Sequence, residues 1–326
     1  MLLMVYKISN IIHQIWFQGE DNIPKKYPNY SKSWKKMNPK FKYIFWDGEK
    51  MEKLIKEKYP WFLKRYNEYP NMIQRIDSAK YFIMHQYGGI LPDLDCECVK
   101  PITPFLKGKS FLGCMGFTGQ YGFEKLAALY LYSVTSLKQF FREFFQNGFL
   151  GSFKGHPCWS ILHKNLLKED LEQKMYETHI KNIFRTVGPD IFTRSIYEYG
   201  IDKIDIIDNK FIDPVDWCDF KGDCDTHIKC RIKYPDAYSI QHYGTRNPEF
   251  TWMNISDSWS SFIGLFFCKY KDRLVSFATM VILIVLAYIK SAKQCDIVNW
   301  SCIIKNANTD FIIILLTASI YFTFLH

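Results

Sequence analysis

Hydrophobic positions in the first 90 residues follow two different periodicities. The β-branched and aromatic runs at residues 10–17 (NIIHQIWF) and 42–47 (KYIFWD) are short and end in turn residues, so both predict strands. Residues 49–66 and 71–87 instead repeat apolar side chains at helical spacing. The second helix is predicted to end at the Gly88-Gly89 pair, because glycine adopts a left-handed C-cap without steric cost. Strands that alternate with helices predict an α/β fold with a largely parallel sheet, which binds ligands at the carboxyl ends of its strands.

Two segments near the C-terminal end carry no charge. Residues 274–289 and 311–325 are apolar throughout, and each is slightly shorter than the roughly 17 to 25 residues of a membrane-spanning helix. A buried core helix is the alternative, but such a helix normally has a polar face. We therefore predict a folded domain at residues 1–257 and a membrane region at residues 258–326 that contains two transmembrane helices.

Composition and charge narrow the range of partners. The chain has 326 residues, of which 48% are hydrophobic and 23% charged, and its net charge is +9. Much of this charge lies in the basic residues 1–70, which favours anionic lipid or a phosphate-bearing substrate. We find no nucleic-acid-binding motif and predict no nucleic-acid partner.

The ten cysteines do not resemble the framework of a small disulfide-rich domain, so free thiols are expected. A structural zinc site is an alternative for one group of residues, although their spacing is not that of a standard zinc finger. These residues are Cys218, Cys224, His227 and Cys230.

The stretch GGILPDLDCE at residues 88–97 contains three carboxylates at alternating positions. Pro92 cannot donate to a sheet ladder and marks the end of a strand. If the next residues are extended, Asp93 and Asp95 project to one side while Leu94 turns inward. Two neighbouring carboxylates repel unless a cation lies between them. Such oxygen ligands suit Mg²⁺ or Mn²⁺, which keep coordination sites for substrate phosphates.

Residues 75–102 (RIDSAKYFIMHQYGGILPDLDCECVKPI) resemble the signature of glycosyltransferase family 32, D-x-x-R-Y-x-x-L-x-x-x-G-G-x-Y-x-D-x-D. This family includes initiating α-1,6-mannosyltransferases and inositol phosphorylceramide mannosyltransferases. Further similar segments follow in the family's order: IIHQIWFQG, YIFWD, NGFLGSFKGHPCW, VGPDIFTR and SIQHYG. The resemblance covers about residues 11–252, which makes it more specific than the D-x-D alone.

The resemblance implies an α/β fold of the GT-A type, a Rossmann-like nucleotide-sugar-binding domain, here with a C-terminal hydrophobic helical membrane anchor. It implies a divalent cation, Mn²⁺ or Mg²⁺, held by Asp93, Asp95 and His242. Asp77 joins the two D-x-D acids in the catalytic set. The remaining residues implied in donor binding are His13, Gln14, Trp16, Lys80, Gly88, Gly89, Asn147 and His156.

Four positions either depart from the family pattern or have an alternative role. Lys80 stands where the family usually has arginine, which keeps the charge and loses the planar guanidinium, and Leu91 replaces the usual tyrosine. His242 has an alternative as a packing residue. His156 has an alternative as a residue that fixes the turn before a proline.

The implied function is metal-dependent transfer of a sugar, mannose from GDP-mannose, to a membrane lipid with an inositol phosphate headgroup or to a glycan, with retention of configuration. Three alternatives remain open: a phosphohydrolase of the haloacid dehalogenase type, a glycosidase, and a membrane-tethered protein that binds a sugar nucleotide without turnover. We expect attachment to an internal membrane of the endoplasmic reticulum or Golgi type. The simplest topology leaves the catalytic domain cytosolic, whereas glycosylation sequons at Asn29, Asn254 and Asn299 favour the lumen.

Overall fold

The computed structural model describes residues 7–23, 30–115, 142–174, 177, 179–215 and 227–242. The chain divides into two compact units, residues 1–119 with 124–262 and residues 120–123 with 263–326. All described residues belong to the first unit. The two predicted transmembrane helices lie outside the described residues, and no helix among the described residues is long and apolar enough to span a bilayer.

The central sheet contains four strands in the order β2-β1-β3-β6. β1 pairs in parallel with both β2 and β3, and β6 closes the sheet as an antiparallel edge partner of β3. Two smaller sheets join β4 to β8 and β5 to β7. The strands are β1 (Ile11–Ile15), β2 (Lys42–Trp46), β3 (Gly89–Pro92), β4 (Cys96–Cys98), β5 (Leu112–Cys114), β6 (Phe149–Ser152), β7 (Asp205–Ile207) and β8 (Ser239–Gln241).

Helices pack against this sheet and against each other, so the predicted α/β class is confirmed. They are α1 (Tyr30–Met37), α2 (Gly48–Lys58), α3 (Leu63–Glu68), α4 (Met72–Tyr87), α5 (Thr103–Leu106), α6 (Pro157–Lys168), α7 (His179–Thr186), α8 (Pro189–Tyr199), α9 (Asn209–Ile212) and α10 (His227–Lys233). The single helix predicted over residues 49–66 is wrong. Pro60 cannot continue a helix, and the chain there forms α2, a 3-10 turn at Pro60–Phe62 and α3.

Helix α4 is the helix that positions the site. Asn71 and Gln74 form a capping box at its start, and Gly88, with φ of +63°, ends it as predicted. Large side chains of α4, among them Tyr81 and Phe82, are completely buried in the main hydrophobic cluster. Two charged residues of the same helix, Asp77 and Lys80, are also buried. A core helix holds charged side chains only where they are paired, so these two mark a polar site beside the core.

Candidate active site

Asp93 and Asp95 lie just after β3, in a tight turn, and Glu97 follows in β4. The Cys96 amide donates to the carbonyl of Asp93 at 3.0 Å, and the Asp93 amide donates to the carbonyl of Gly148 at 2.8 Å. The expected extended conformation is therefore wrong, although Leu94 does turn inward and is buried. Because the chain turns here, Asp93 and Asp95 contact different neighbours.

Asp93 belongs to a group that we call the lysine cluster, formed by Asp77, Lys80 and Asp93. Lys80 Nζ lies 2.9 Å from Asp77 Oδ1 and 2.7 Å from Asp93 Oδ1. Burial alone would lower the pKa of Lys80, but the two carboxylates outweigh it and raise that pKa. Burial raises the pKa of Asp93 to about 7; Lys80 opposes this increase, and the charges of Asp95 and Asp77 add to it. Lysine at position 80 thus holds two acids together across α4 and the turn.

The second group, the histidine cluster, is formed by Tyr30, Asp95, Glu97, Gln241 and His242. Antiparallel pairing of β4 with β8 builds it, because this pairing sets Cys96 opposite Gln241. The His242 amide donates to the Asp95 carbonyl at 3.0 Å, and Gln241 Nε2 donates to Asp95 Oδ1 at 3.0 Å. The last described strand is thereby fixed directly to the D-x-D.

His242 is held on two sides. Its Nε2 lies 2.8 Å from Glu97 Oε2, and its ring stacks on Tyr30 with centroids 4.1 Å apart and planes 8° apart. Burial raises the pKa of Tyr30 to about 12, and the charges of Glu97 and Asp95 contribute to this increase. Both carboxylates therefore lie close enough to disfavour ionisation of the same hydroxyl.

The donor atoms of this cluster fit a hard divalent cation. Potential ligand atoms of Glu97, Cys230 and His242 lie within 4.8 Å of one another. Cys230 is disulfide-bonded and so offers no thiolate. What remains is carboxylate oxygen and imidazole nitrogen, a set that suits Mn²⁺ or Mg²⁺ better than a thiolate-rich zinc site.

The cysteine predictions change accordingly. The disulfide at Cys230 contradicts the expectation of free thiols at that position and removes one thiolate from the alternative zinc site. Cys218 and Cys224 lie outside the described residues, as does the side chain of His227. The other described cysteines are free and buried: Cys96, Cys98, Cys114 and Cys158.

Asn147 is the predicted donor-binding residue that lies beside the lysine cluster. Its Nδ2 donates to the hydroxyl of Tyr81 at 3.2 Å, one helical position after Lys80. A Cβ on the next residue, Gly148, would lie 2.9 Å from Gln146 Oε1, 3.2 Å from Gln241 Oε1 and 3.3 Å from Asp93 Oδ2. A side chain at this position would therefore crowd residues of both clusters.

Other predicted donor residues lie elsewhere along the sheet. His13 is completely buried; Trp46 Nε1 donates to its Nδ1 at 3.0 Å, and its Nε2 contacts the Gly88 carbonyl at 2.9 Å. This contact and the Gly88-Gly89 pair are at the start of β3, at the opposite end of that strand from Asp93.

His156 lies in the same part of the molecule. It caps α6 by accepting from the Cys158 amide at 3.2 Å, as expected of a residue that fixes this turn. Gln14 and Trp16 lie at the carboxyl end of β1, where Gln14 accepts from the Tyr43 hydroxyl at 2.7 Å and Trp16 donates to the Asn22 carbonyl at 3.3 Å. Their roles in donor binding stay predictions.

Sequence reasoning missed Tyr30, Glu97 and Gln241. Glu97 follows Asp95 at the two-residue spacing of a strand, and Gln241 directly precedes His242, so both were adjacent to predicted residues. Tyr30 had no comparable signal, because its stacking on His242 joins residues far apart in the sequence.

Comparison with known proteins agrees with these features. Residues 24–112 match the family model described as "Glycosyltransferase sugar-binding region containing DXD motif". An uncharacterised glycosyltransferase, L373, of Acanthamoeba polyphaga mimivirus is 29% identical over 70% of this chain and 80% of its own length. The predicted resemblance to a D-x-D glycosyltransferase family is confirmed.

Two relatives have names that state an activity. Inositol phosphoceramide mannosyltransferase 1 of Schizosaccharomyces pombe is 38% identical over 32% of this chain and 34% of its own length. The initiation-specific alpha-1,6-mannosyltransferase of Candida albicans is 25% identical over 65% of this chain and 59% of its own length. The match thus spans about a third of the fission-yeast protein and somewhat more than half of the Candida protein.

Proposed function

We propose that this chain, whose residues 24–112 match the model of glycosyltransferases with a D-x-D-containing sugar-binding region, transfers mannose from GDP-mannose in a metal-dependent reaction. The proposed acceptor is a membrane lipid with an inositol phosphate headgroup, and a glycan is the second candidate. Support for mannose and for this lipid comes from the relatives named as inositol phosphoceramide mannosyltransferases.

One structural observation carries the proposal, namely the pairing of the D-x-D turn with the histidine-bearing strand β8. It gathers a carboxylate-rich turn, a buried lysine and His242 at the end of the central sheet. Ligands of open α/β sheets bind at the carboxyl ends of the strands. The position of the clusters supports a nucleoside-diphosphate site in a domain of the GT-A type, which is the fold that we propose.

The proposed chemistry follows from where charge develops. Cleavage of the bond between the anomeric carbon and the diphosphate leaves negative charge on the phosphate, and a bound cation stabilises such a leaving group. Asp95 and His242 would hold that cation, and Asp77, Lys80 and Asp93 would orient the donor. We propose that the acceptor hydroxyl attacks from the face that the diphosphate leaves, which retains the configuration of the sugar.

We further propose that residues 258–326 anchor the enzyme to an internal membrane and that the catalytic domain faces the lumen. This revises the cytosolic expectation because Cys230 is disulfide-bonded, and disulfides persist in oxidising compartments. A glycan on Asn29 or Asn254 of the protein isolated from cells would agree with this topology. Full reactivity of Cys230 with a thiol reagent under native, non-reducing conditions would contradict it.

The test of function is a donor screen with the full-length protein and Mn²⁺. We expect hydrolysis or transfer with GDP-mannose, transfer of label into inositol phosphate sphingolipids in mixed vesicles, and loss of both in excess chelator. Turnover of another sugar nucleotide instead of GDP-mannose would show that the proposed donor is wrong. Binding of GDP without turnover of any donor would favour the binding-protein alternative, and release of phosphate from simple phosphomonoesters would favour the phosphohydrolase.

A further inference from the structure

Lys80 already supplies a positive charge to Asp93. Its Nζ lies 2.7 Å from Asp93 Oδ1, and the lysine side chain is only 6% exposed. The same ammonium group contacts Asp77 at 2.9 Å, so it is fixed from two sides. A buried ammonium ion and a metal ion that both bind Asp93 would repel each other at short range. The first acid of the D-x-D is therefore a poor place for a direct metal ligand in this chain.

Glu97 is placed as a ligand would be. It is buried, and its Oε2 lies 2.8 Å from Nε2 of His242. Two donor atoms on neighbouring vertices of an octahedral shell with metal–oxygen distances near 2.1 Å are about 3 Å apart. The Glu97–His242 pair thus already has nearly the separation that a shared ion requires.

Supporting contacts hold both side chains in place. Tyr30 stacks on the ring of His242, and the backbone of His242 is hydrogen-bonded to that of Asp95. Gln241 donates to one carboxylate oxygen of Asp95, as groups around a metal site commonly do for a ligating carboxylate. Glu97 and His242 are thereby held in position, and Asp95 is fixed next to them through Gln241 and the backbone of His242.

We propose that Glu97 is a metal ligand together with Asp95 and His242, and that Lys80, rather than the ion, neutralises Asp93. This inference rests on the proposed metal-dependent function and assigns a role to individual residues within its site. It predicts that the two acids nearest to Asp95 in the sequence differ in role: Glu97 binds the ion, whereas Asp93 and Lys80 act on the donor.

The experiment measures Mn²⁺ binding by the full-length protein, using the electron paramagnetic resonance signal of free Mn²⁺. Titrations are run with Mn²⁺ alone, with GDP and with UDP. We expect Glu97→Gln to raise the Mn²⁺ dissociation constant at least about tenfold, as loss of a ligand or its close support typically does. The matched variant Asp93→Asn removes a charge two residues before Asp95 and should change that constant less than about threefold, while it lowers turnover strongly.

Further measurements distinguish the loss of a metal ligand from misfolding of the variant. Glu97→Asp keeps a carboxylate and should bind Mn²⁺ more tightly than Glu97→Gln, and thermal unfolding shows that each variant is folded. In the wild type, electron spin echo modulation should show nitrogen coupled to bound Mn²⁺, and His242→Gln should remove it.

The outcomes separate the inference from the function on which it rests. If the wild type binds Mn²⁺ and transfers sugar, but Glu97→Gln binds as tightly as the wild type, the assignment of Glu97 is wrong. A large loss of Mn²⁺ affinity in Asp93→Asn would return Asp93 to the ligand set and also overturn it. If the wild type binds no Mn²⁺ even with GDP or UDP, the metal-dependent function itself fails.

Discussion

Lys80 compensates the negative charge of two buried carboxylates. It is buried between Asp77 and Asp93, and both carboxylates contact its ammonium group. We expect Lys80→Met to lower the free energy of unfolding by about 3 kcal/mol, because removing one partner leaves buried like charges uncompensated. Denaturant unfolding of the metal-free protein measures this loss.

The controls use the same cluster. Lys80→Arg restores the residue usual in family 32 and keeps the charge, so it should retain most of the stability. Asp77→Asn combined with Lys80→Met should recover part of the loss, since it removes one of the two acids. An unchanged unfolding free energy in Lys80→Met alone would show that the pairing does not stabilise the fold.

At the scale of single residues, the sequence indicated which side chains belong to the two clusters but not which of them contact each other. Asp77, Lys80 and Asp93 meet in one cluster, and Asp95 and His242 meet in the other. The signature contained the first four of these residues, whereas His242 came from the separate segment SIQHYG. The signature did not show that a turn would separate the two acids of the D-x-D. A four-residue turn is too short to produce a periodicity, so the extended and turned forms look alike in sequence.

Among the elements, the junction of α4 and β3 is the most constrained. Gly89 has φ of +91°, and a Cβ there would lie 2.5 Å from the carbonyl oxygen of Ile11 in β1. We expect Gly89→Ala to cost at least about 3 kcal/mol, because the strained backbone and the collision with a neighbouring strand add together. The midpoint of chemical denaturation reports this change.

Gly108 provides the matched comparison. It also has positive φ, +76°, but a Cβ there would meet nothing within 4 Å. Gly108→Ala should therefore cost only about 1 to 2 kcal/mol, the backbone term alone. Equal losses in the two variants would mean that the approach of β1 to β3 is not what requires glycine at position 89.

Elements that carry their own periodicity were predictable from the sequence, whereas short strands that are defined by distant partners were not. β1, β2 and α4 were predicted because each carries its own periodicity over five or more residues. β4 and β8 have three residues each and are defined by pairing with one another across most of the described chain. The break at Pro60 was visible in the sequence, but the apolar repeat on both sides of it favoured a single helix.

At the scale of the whole molecule, buried neutral histidines should make the fold sensitive to acid. Burial lowers the pKa of His13 and His156 to about 4 and that of His163 to about 3. In the unfolded chain these groups bind protons near pH 6.5, so the unfolded state gains protons first as the pH falls. Stability should be complete above about pH 6.5 and decrease towards pH 4, by on the order of 2 kcal/mol per histidine at pH 5.

Unfolding free energies at pH 7 and pH 5 measure this dependence. His163 stacks on Phe82 with centroids 3.9 Å apart, so His163→Leu should keep the packing and reduce the loss at pH 5. A wild-type stability that is flat from pH 7 to pH 5 would contradict the buried neutral state of these rings.

The division of the chain leads to a further prediction. Every described residue of the two clusters precedes residue 257, the predicted end of the catalytic domain. A chain that ends at Asp257 should stay in solution and bind Mn²⁺ like the full chain, but lose transfer to lipid presented in vesicles. Undiminished transfer to such lipid, or release of the full-length protein from membranes by alkaline carbonate, would argue against an anchor in residues 258–326.

The pairing of β4 with β8 also determines when the proposed ion site can form during synthesis of the chain. Gln241 and Asp95 contact each other although they are 146 residues apart in the chain. A ribosome that adds about 5 to 20 residues per second needs roughly 7 to 30 s to extend the chain from the first of these residues to the second. During that time the residues of β1, β2 and β3 have already been synthesised, whereas His242 has not. The nascent protein therefore passes through a stage that has both D-x-D acids but lacks His242, so the proposed ion site can be completed only when β8 pairs with β4.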